Sequence, residues 1–216
     1  MEIKILKDIL SANDHQAREN RRVLDEHGVF AVNMTASPGA GKTSVILETI
    51  RRLKKEIGFA VIEGDVSSSI DAEAVGEEGV PVVQINTGGT CHLDATMVSN
   101  ALSSLALDEI DVLIVENVGN LICPASFSLG ENKKVLIASV AEGDDKPYKY
   151  PVMFSQADAV VLNKMDLMPH TTFDLEAFKR AVGGLQEDAS IIAISCRTGE
   201  GIDAWTSWLI DQLAAR

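Results

Sequence analysis

Short apolar, β-rich runs recur along this chain, and stretches with helical spacing separate them. The runs are "VFAVNMTA" from Val29, "FAVIEGD" from Phe59, "PVVQIN" from Pro81, "DVLIVEN" from Asp111, "KVLIASVA" from Lys134, "DAVVLNK" from Asp158 and "SIIAISC" from Ser190. Most are near-continuous rather than alternating, the pattern of strands covered on both faces. Helices are predicted to start near Lys42, His92, Tyr148, Phe173 and Ile202. This alternation predicts an α/β fold, a mostly parallel sheet with helices on both faces. Ahead of the first run, roughly Ile3 to Glu26 reads as an amphipathic helix with Ile5, Leu6, Ile9, Leu10, Val23 and Leu24 apolar. Asn13-Asp14 is a candidate break in it, and His27-Gly28 is its stop. Ligands of such sheets bind beyond the carboxyl ends of the strands. The informative residues are therefore those just after each run.

A chain of 216 residues fits one domain, residues 1–216, with 1–27 as a helical extension packed on it. With 19 basic against 32 acidic residues, the net charge is −13, which offers no basic surface for a nucleic acid. No apolar run is long enough to span a bilayer, and "MEIKILKDIL" lacks the apolar centre of a signal peptide. Three cysteines do not form a disulfide framework, and a reducing cytoplasm is the natural expectation.

"ASPGAGKT", Ala36 to Thr43, lies between the first run and a predicted helix and matches the phosphate-loop pattern, with Ala36 in place of the first glycine. Gly39 and Gly41 let the backbone curl so that N–H groups, including that of Ala40, face phosphate oxygens. The helix from Lys42 through Thr43 and Ser44 adds its positive end. Lys42 is expected on the β- and γ-phosphates and the Thr43 hydroxyl on Mg²⁺. "NKMD" ends a later run. There Asp166 can accept from both donors on the edge of guanine, Asn163 can support the loop, and the stem of Lys164 can lie over the base. Ser195-Cys196-Arg197 stands where a loop closes beneath the base, so the nucleotide expected is GTP/GDP rather than an adenine nucleotide. Asp65 and Glu116 end two further runs. They can hold Mg²⁺ or its waters and position an attacking water, or be solvated strand-end acids. Asp71 reads equally as part of a nucleotide-sensing switch or as a helix N-cap.

Cys91-His92 follows the third run and Cys123 follows the Glu116 run, so all three emerge at one sheet edge. They suit Zn²⁺ or Ni²⁺. A buried cysteine with a capping histidine is the alternative. A helix start at this point would lower the Cys91 pKa. Adjacent residues on such a start point apart, which disfavours a Cys–His nucleophile pair. Trp205 and Trp208 read as packing on the last helix.

These residues resemble the hydrogenase nickel-incorporation GTPases of the HypB family, relatives of the urease accessory GTPase UreG. The resemblance covers nearly all of the chain. It rests on "ARENRRVL", "SPGAGKTS", Gly64-Asp65, "CHLDA", "ENVGNLICPASFSLGE", "EGDDKPYKYP", "NKMDL" and "TGEG". It implies a three-layer P-loop NTPase of the SIMIBI GTPase type, with Cys91, His92 and Cys123 as the metal ligands. It also implies GTP hydrolysis with Lys42, Asp65 and Glu116 at the reacting end. The implied partners are a HypA-type nickel carrier and the NiFe-hydrogenase large subunit. One chain supplies few ligands, so a homodimer favoured by GTP is expected to share the metal. Lys146, Lys149 and Tyr150 match the family without a clear role. The sequence lacks the family's N-terminal CxxCGC or His-rich segment, so no N-terminal nickel store is expected. Gly89-Thr90 replaces the usual Lys-Gly before Cys91, and Ser37-Pro38 leaves no lysine early in the phosphate loop. The competing expectations are a urease-type accessory GTPase and a nucleotide-gated scaffold dimer with a structural zinc.

Overall fold

The computed structural model describes residues 2–66 and 68–216, with side chains from Leu10 onward. Each apolar run corresponds to one strand, β5 starting one residue ahead of its run: β1 Phe30–Ala36, β2 Phe59–Asp65, β3 Val82–Asn86, β4 Val112–Glu116, β5 Lys133–Ser139, β6 Ala159–Asn163 and β7 Ser190–Ala193. They form one seven-stranded sheet in the order β3-β2-β4-β1-β5-β6-β7. Every pairing is parallel. β1, β4 and β6 are buried along their whole lengths, whereas the edge strands β3 and β7 are half-buried. That difference explains why the central runs are the most uniformly apolar.

Helices fill both faces. On one, α2 (Lys42–Leu53), α3 (Ile70–Gly76) and α8 (Ile202–Ala214) pack Ile46, Ile50, Val75, Trp205 and Leu209 against Met34, Val61 and Ile114. Trp205 Nε1 donates to Thr49 Oγ1 at 2.7 Å, and the Trp208 ring stacks on Trp205 at 5.4 Å between centroids. Both tryptophans therefore serve packing. On the other face, α1 (Glu2–Glu26) and α4 (Ala95–Leu102) cover β1, β2 and β4. Two short helices, α5 (Lys146–Lys149) and α6 (Pro151–Ser155), are followed by α7 (Leu175–Leu185), and α6 and α7 cover β5 and β6.

Several local expectations are corrected. α1 runs unbroken through Asn13-Asp14. The Asn13 side chain faces the body of the protein, donating to the Ser128 carbonyl at 2.9 Å and accepting from the Ala95 N–H at 2.9 Å. Buried Asn20 donates to the carbonyls of Ala95 at 2.7 Å and Leu129 at 2.9 Å. Polar residues thus dock this helix, where a break was expected from their propensity alone. Gly130 permits the close approach: at φ +97°, a Cβ there would lie 2.6 Å from the Ala17 carbonyl. The apolar positions Ile5, Leu6 and Ile9 lie outside the residues whose side chains are described. α4 begins at Ala95 rather than His92, capped by Asp94, whose side chain accepts from the Met97 N–H. The helix expected near Tyr148 is two pieces, parted where Tyr150 leaves helical geometry ahead of Pro151. At α3 a helix was one of two expectations, with Asp71 as its N-cap, and the cap falls two residues earlier. Ser69 occupies its N-cap position and Asp71 lies in its first turn.

Removing the Asn20 amide strands two buried carbonyls, so Asn20→Ala is expected to cost about 2–3 kcal/mol. Urea unfolding followed by circular dichroism measures it. A change within about 0.5 kcal/mol, the scatter of ordinary surface substitutions, would contradict this account of the docking.

Candidate functional site

The phosphate loop joins the central strand β1 to α2, at the carboxyl edge of the sheet. Gly39 and Gly41 have φ of +80° and +95°, and Gly41 is the N-cap residue of α2. A Cβ on Gly41 would sit 2.5 Å from Asn163 Nδ2, so glycine is required on two counts. Ala40 is fully buried and anchors the loop from below. A cavity of about 620 Å³ opens over the loop, lined among others by Lys42, Thr43, Asp65, Asp71 and Gly119. It shares Gly41, Ser44 and Lys164 with a second cavity of about 460 Å³, lined also by Asn163, Asp166 and Cys196. The pair has the layout of a phosphate compartment and a base compartment.

The second cavity is held by hydrogen bonds between loops distant in sequence. Asn163 Nδ2 donates to the Ala40 carbonyl at 3.1 Å, and its Oδ1 accepts from the Lys164 and Cys196 N–H groups at 2.7 and 3.3 Å. Lys164 has a left-handed φ of 62°, and its ammonium reaches the Gly39 carbonyl at 2.6 Å. Ser195 Oγ donates to Asp166 Oδ1 at 2.6 Å and accepts from the Thr198 N–H at 3.2 Å, which orients the carboxylate. Burial pushes the Cys196 thiol up to about 11, so its contribution is packing and a backbone N–H.

At the phosphate end, Lys42 Nζ and Thr43 Oγ1 both donate to Glu116 Oε1, each at 2.8 Å. Glu116 is fully buried at the end of β4. Its register partner across β2 is Glu63, also buried. Oxygens of Glu63, Asp71 and Glu116 lie within 4.8 Å of one another. The Glu63 carboxyl is pushed up to about 8, by burial first and then by the Glu116 charge beside it. Asp65, at the end of β2, lines the same cavity and accepts from the Ser68 N–H at 2.7 Å. Glu63 was missing from the sequence reading. Its one signal is a glutamate inside the otherwise apolar run "FAVIEGD". Hard carboxylate and hydroxyl oxygens are suitable donors for Mg²⁺, and the buried Oε2 atoms of Glu63 and Glu116 have no partner among the described residues.

The second cluster lies after β3. Gly88 and Gly89, at φ +61° and +111°, turn the loop, and Thr87 Oγ1 closes it on the Thr90 carbonyl at 2.7 Å. Cys91 Sγ is 3.8 Å from His92 Nδ1, and ligand atoms of Cys91, His92 and Cys123 lie within 4.8 Å of one another. The adjacent pair therefore converges, because it sits in a loop and not on a helix start. Asn120 Nδ2 donates to the Cys91 carbonyl at 3.1 Å, joining the loop to the segment that carries Cys123. The His92 ring packs on Phe127 at 4.0 Å. The Cys91 thiol is held above its ordinary pKa, first by its hydrogen bond with Cys123 and then by burial, opposite to the lowering expected from a helix N-terminus. Burial lowers the His92 pKa, favouring the neutral imidazole that binds metals. Two sulfurs and an imidazole nitrogen fit Zn²⁺ or Ni²⁺.

Asn117 links the two clusters. It follows Glu116 directly, and its Oδ1 accepts from the Leu93 N–H at 3.0 Å, one residue beyond His92. Beside the phosphate loop, Glu142 accepts from the Ser37 hydroxyl, and Lys146 Nζ lies 3.6 Å from the same carboxylate oxygen and 5.4 Å from the Tyr150 ring centre. Lys149 pairs with Asp145 at the surface.

A parallel sheet with this loop on its central strand defines a P-loop protein with a GTPase-like fold. The fold alone is shared with the signal recognition particle receptor FtsY of Elizabethkingia anophelis. That likeness has a TM-score of 0.58 at 16% identity, covering 93% of this chain and 72% of that one. Residues 30–193 match the family described as CobW/HypB/UreG, nucleotide-binding domain. Hydrogenase maturation factor HypB of Rhizobium leguminosarum bv. viciae is 48% identical over 214 residues, which is 99% of this chain and 72% of that protein. The crystal structure of HypB from Helicobacter pylori in complex with nickel superposes with a TM-score of 0.90 at 36% identity, covering 94% of this chain and 96% of that one. The chain belongs to the CobW/HypB/UreG family.

The Glu63 environment sets a pH dependence. Its folded pKa, about 8, lies above the ordinary value of 4.5. The stability tied to its neutral form is therefore complete below the ordinary value and is lost as pH rises toward 8. In nucleotide-free, chelator-treated protein, the thermal midpoint of wild type should fall relative to Glu63→Gln between about pH 5 and about pH 8. Parallel pH profiles for the two proteins would contradict the assignment.

Proposed function

We propose that this chain is a GTP-hydrolysing metallochaperone that delivers nickel during NiFe-hydrogenase maturation. One observation carries the reading: the carboxylate that holds Lys42 and Thr43 is followed at once by the asparagine that holds the Cys91-His92 loop. Nucleotide state and metal geometry thus meet in adjacent residues. Family membership and the nickel complex of the Helicobacter pylori relative support nickel as the cargo.

In this reading the N–H groups from Gly39 to Ser44 cradle the phosphates, and Lys42 leaves Glu116 to meet them. Thr43, Asp65 and Glu116 would hold Mg²⁺, which would neutralise charge on the phosphates. Glu116 and Asp65 then orient the attacking water. Asp166, fixed by Ser195, accepts from the guanine edge, while Asn163, Lys164 and Cys196 shape the base compartment. Cys91, His92 and Cys123 bind the cargo as thiolates and a neutral imidazole. A homodimer favoured by GTP brings two such ligand sets together. A HypA-type nickel carrier and the NiFe-hydrogenase large subunit are the partners, and the cytoplasm is the setting.

The base assignment is tested with Asp166→Asn, which turns one acceptor into a donor. GDP affinity should fall by about two orders of magnitude, the scale of losing buried charge-assisted hydrogen bonds, while xanthosine diphosphate gains. An unchanged preference for GDP would remove guanine from the reading.

The coupling is tested by Ni²⁺ titration and size-exclusion chromatography with GDP and with a non-hydrolysable GTP analogue. Affinity and oligomeric state should differ between the two nucleotides, and Cys91→Ala or Cys123→Ala should weaken Ni²⁺ at least about tenfold. Equal affinity and equal size in both nucleotide states would leave a structural-zinc scaffold as the better description.

A further inference from the structure

Strand β1 is buried along its length and runs directly into the phosphate loop, yet its middle residue is Asn33, 1% exposed. A buried amide is costly unless its donors and acceptor are met. Here they are met by two side chains from distant segments. Asn33 Nδ2 donates to Glu131 Oε1, and Asn33 Oδ1 accepts from Asn117 Nδ2, each at 3.3 Å. Both partners lead to the Cys91, His92 and Cys123 cluster. Asn117 Oδ1 accepts from the Leu93 N–H, next to His92, and from the Val118 N–H, each at 3.0 Å. Val118 also lines the phosphate cavity. On the other side, Glu131 Oε2 accepts from the Leu129 N–H at 2.7 Å and the Ser128 hydroxyl at 3.2 Å. These two residues follow Phe127, whose ring packs on His92.

We infer that Asn33 is a positioning residue through which the phosphate cavity and the sulfur cluster are coupled. One oxygen, Asn117 Oδ1, is shared by a donor from each site, so a shift of Val118 when phosphate enters alters the bond to Leu93. An Asn117 amide free to turn would follow Val118 and absorb that shift. Its other end is tied to Asn33, in the central strand that carries the phosphate loop, so the shift passes to the Cys91-His92 loop instead. Through Glu131, the same amide keeps the Phe127 side of the cluster in register with that strand. Asn33 itself touches neither the cargo metal nor the nucleotide cavity. The inference rests on the reading of a nucleotide-linked nickel site and names the side chain that makes the link.

The test is the Ni²⁺ affinity of wild type, Asn33→Ala and Asn33→Leu, each with GDP and with a non-hydrolysable GTP analogue. Wild type should show at least about a fivefold difference between nucleotides, and the Asn33 variants a difference below about twofold. GDP affinity should stay within about twofold of wild type, because Asn33 lies outside the nucleotide cavity. Asn33→Leu keeps most of the side-chain volume and decides the matter should Asn33→Ala fold poorly. Val182→Ala, in the core beneath α7, lowers stability without touching this chain of amides and should keep the wild-type difference. A clear wild-type difference retained in the Asn33 variants, or lost equally in Val182→Ala, overturns this inference alone. No difference in wild type overturns it together with the nucleotide-linked reading.

Discussion

A single oxygen organises the functional edge of this protein. Glu116 Oε1 accepts from Lys42 and from Thr43, the two side chains that the phosphate-loop pattern reserves for phosphate and magnesium. The carboxylate is fully buried at the end of a central strand, where an unpaired charge costs several kcal/mol. The loop and the strand therefore satisfy each other, and whatever enters the cavity above must replace these bonds with others at least as good. Glu63 sharpens this condition by placing a second carboxyl opposite the first, one strand away.

The sheet was legible because its physics is repetitive. A parallel strand buried on both faces can only be a continuous apolar run, and each such run became a strand. Glycine spacing gave the phosphate loop for a similar reason: the left-handed φ at Gly39 and Gly41 admits few other residues. Of the residues expected on the guanine side from motif order, Asn163, Lys164, Asp166 and Cys196 share one cavity in the fold, and Ser195 stands behind Asp166.

What stayed hidden depended on partners far along the chain. Asn13 looks like a helix breaker until Ser128 and Ala95 supply its partners. Glu63 looks like a tolerated polar residue until the register sets it against Glu116. Cys91 and His92 read as a helix start because the cap at Asp94 was overlooked, and the Cys91 thiol is instead raised by its hydrogen bond with Cys123, far along the chain. The predicted apolar face is met at Val23 and Leu24, which pack into the core, and buried amides add to the docking.

The docking of α1 has a mechanical consequence. Asn13 takes the N–H of Ala95 and Asn20 takes its carbonyl, so both backbone groups of the first residue of α4 belong to α1. Ala95 lies three residues past His92, where the short connection from β3 enters α4. The long helix is thus a handle on the connection that carries Cys91 and His92. Tilting or lifting it would break the two hydrogen bonds that fix Ala95, three residues from His92.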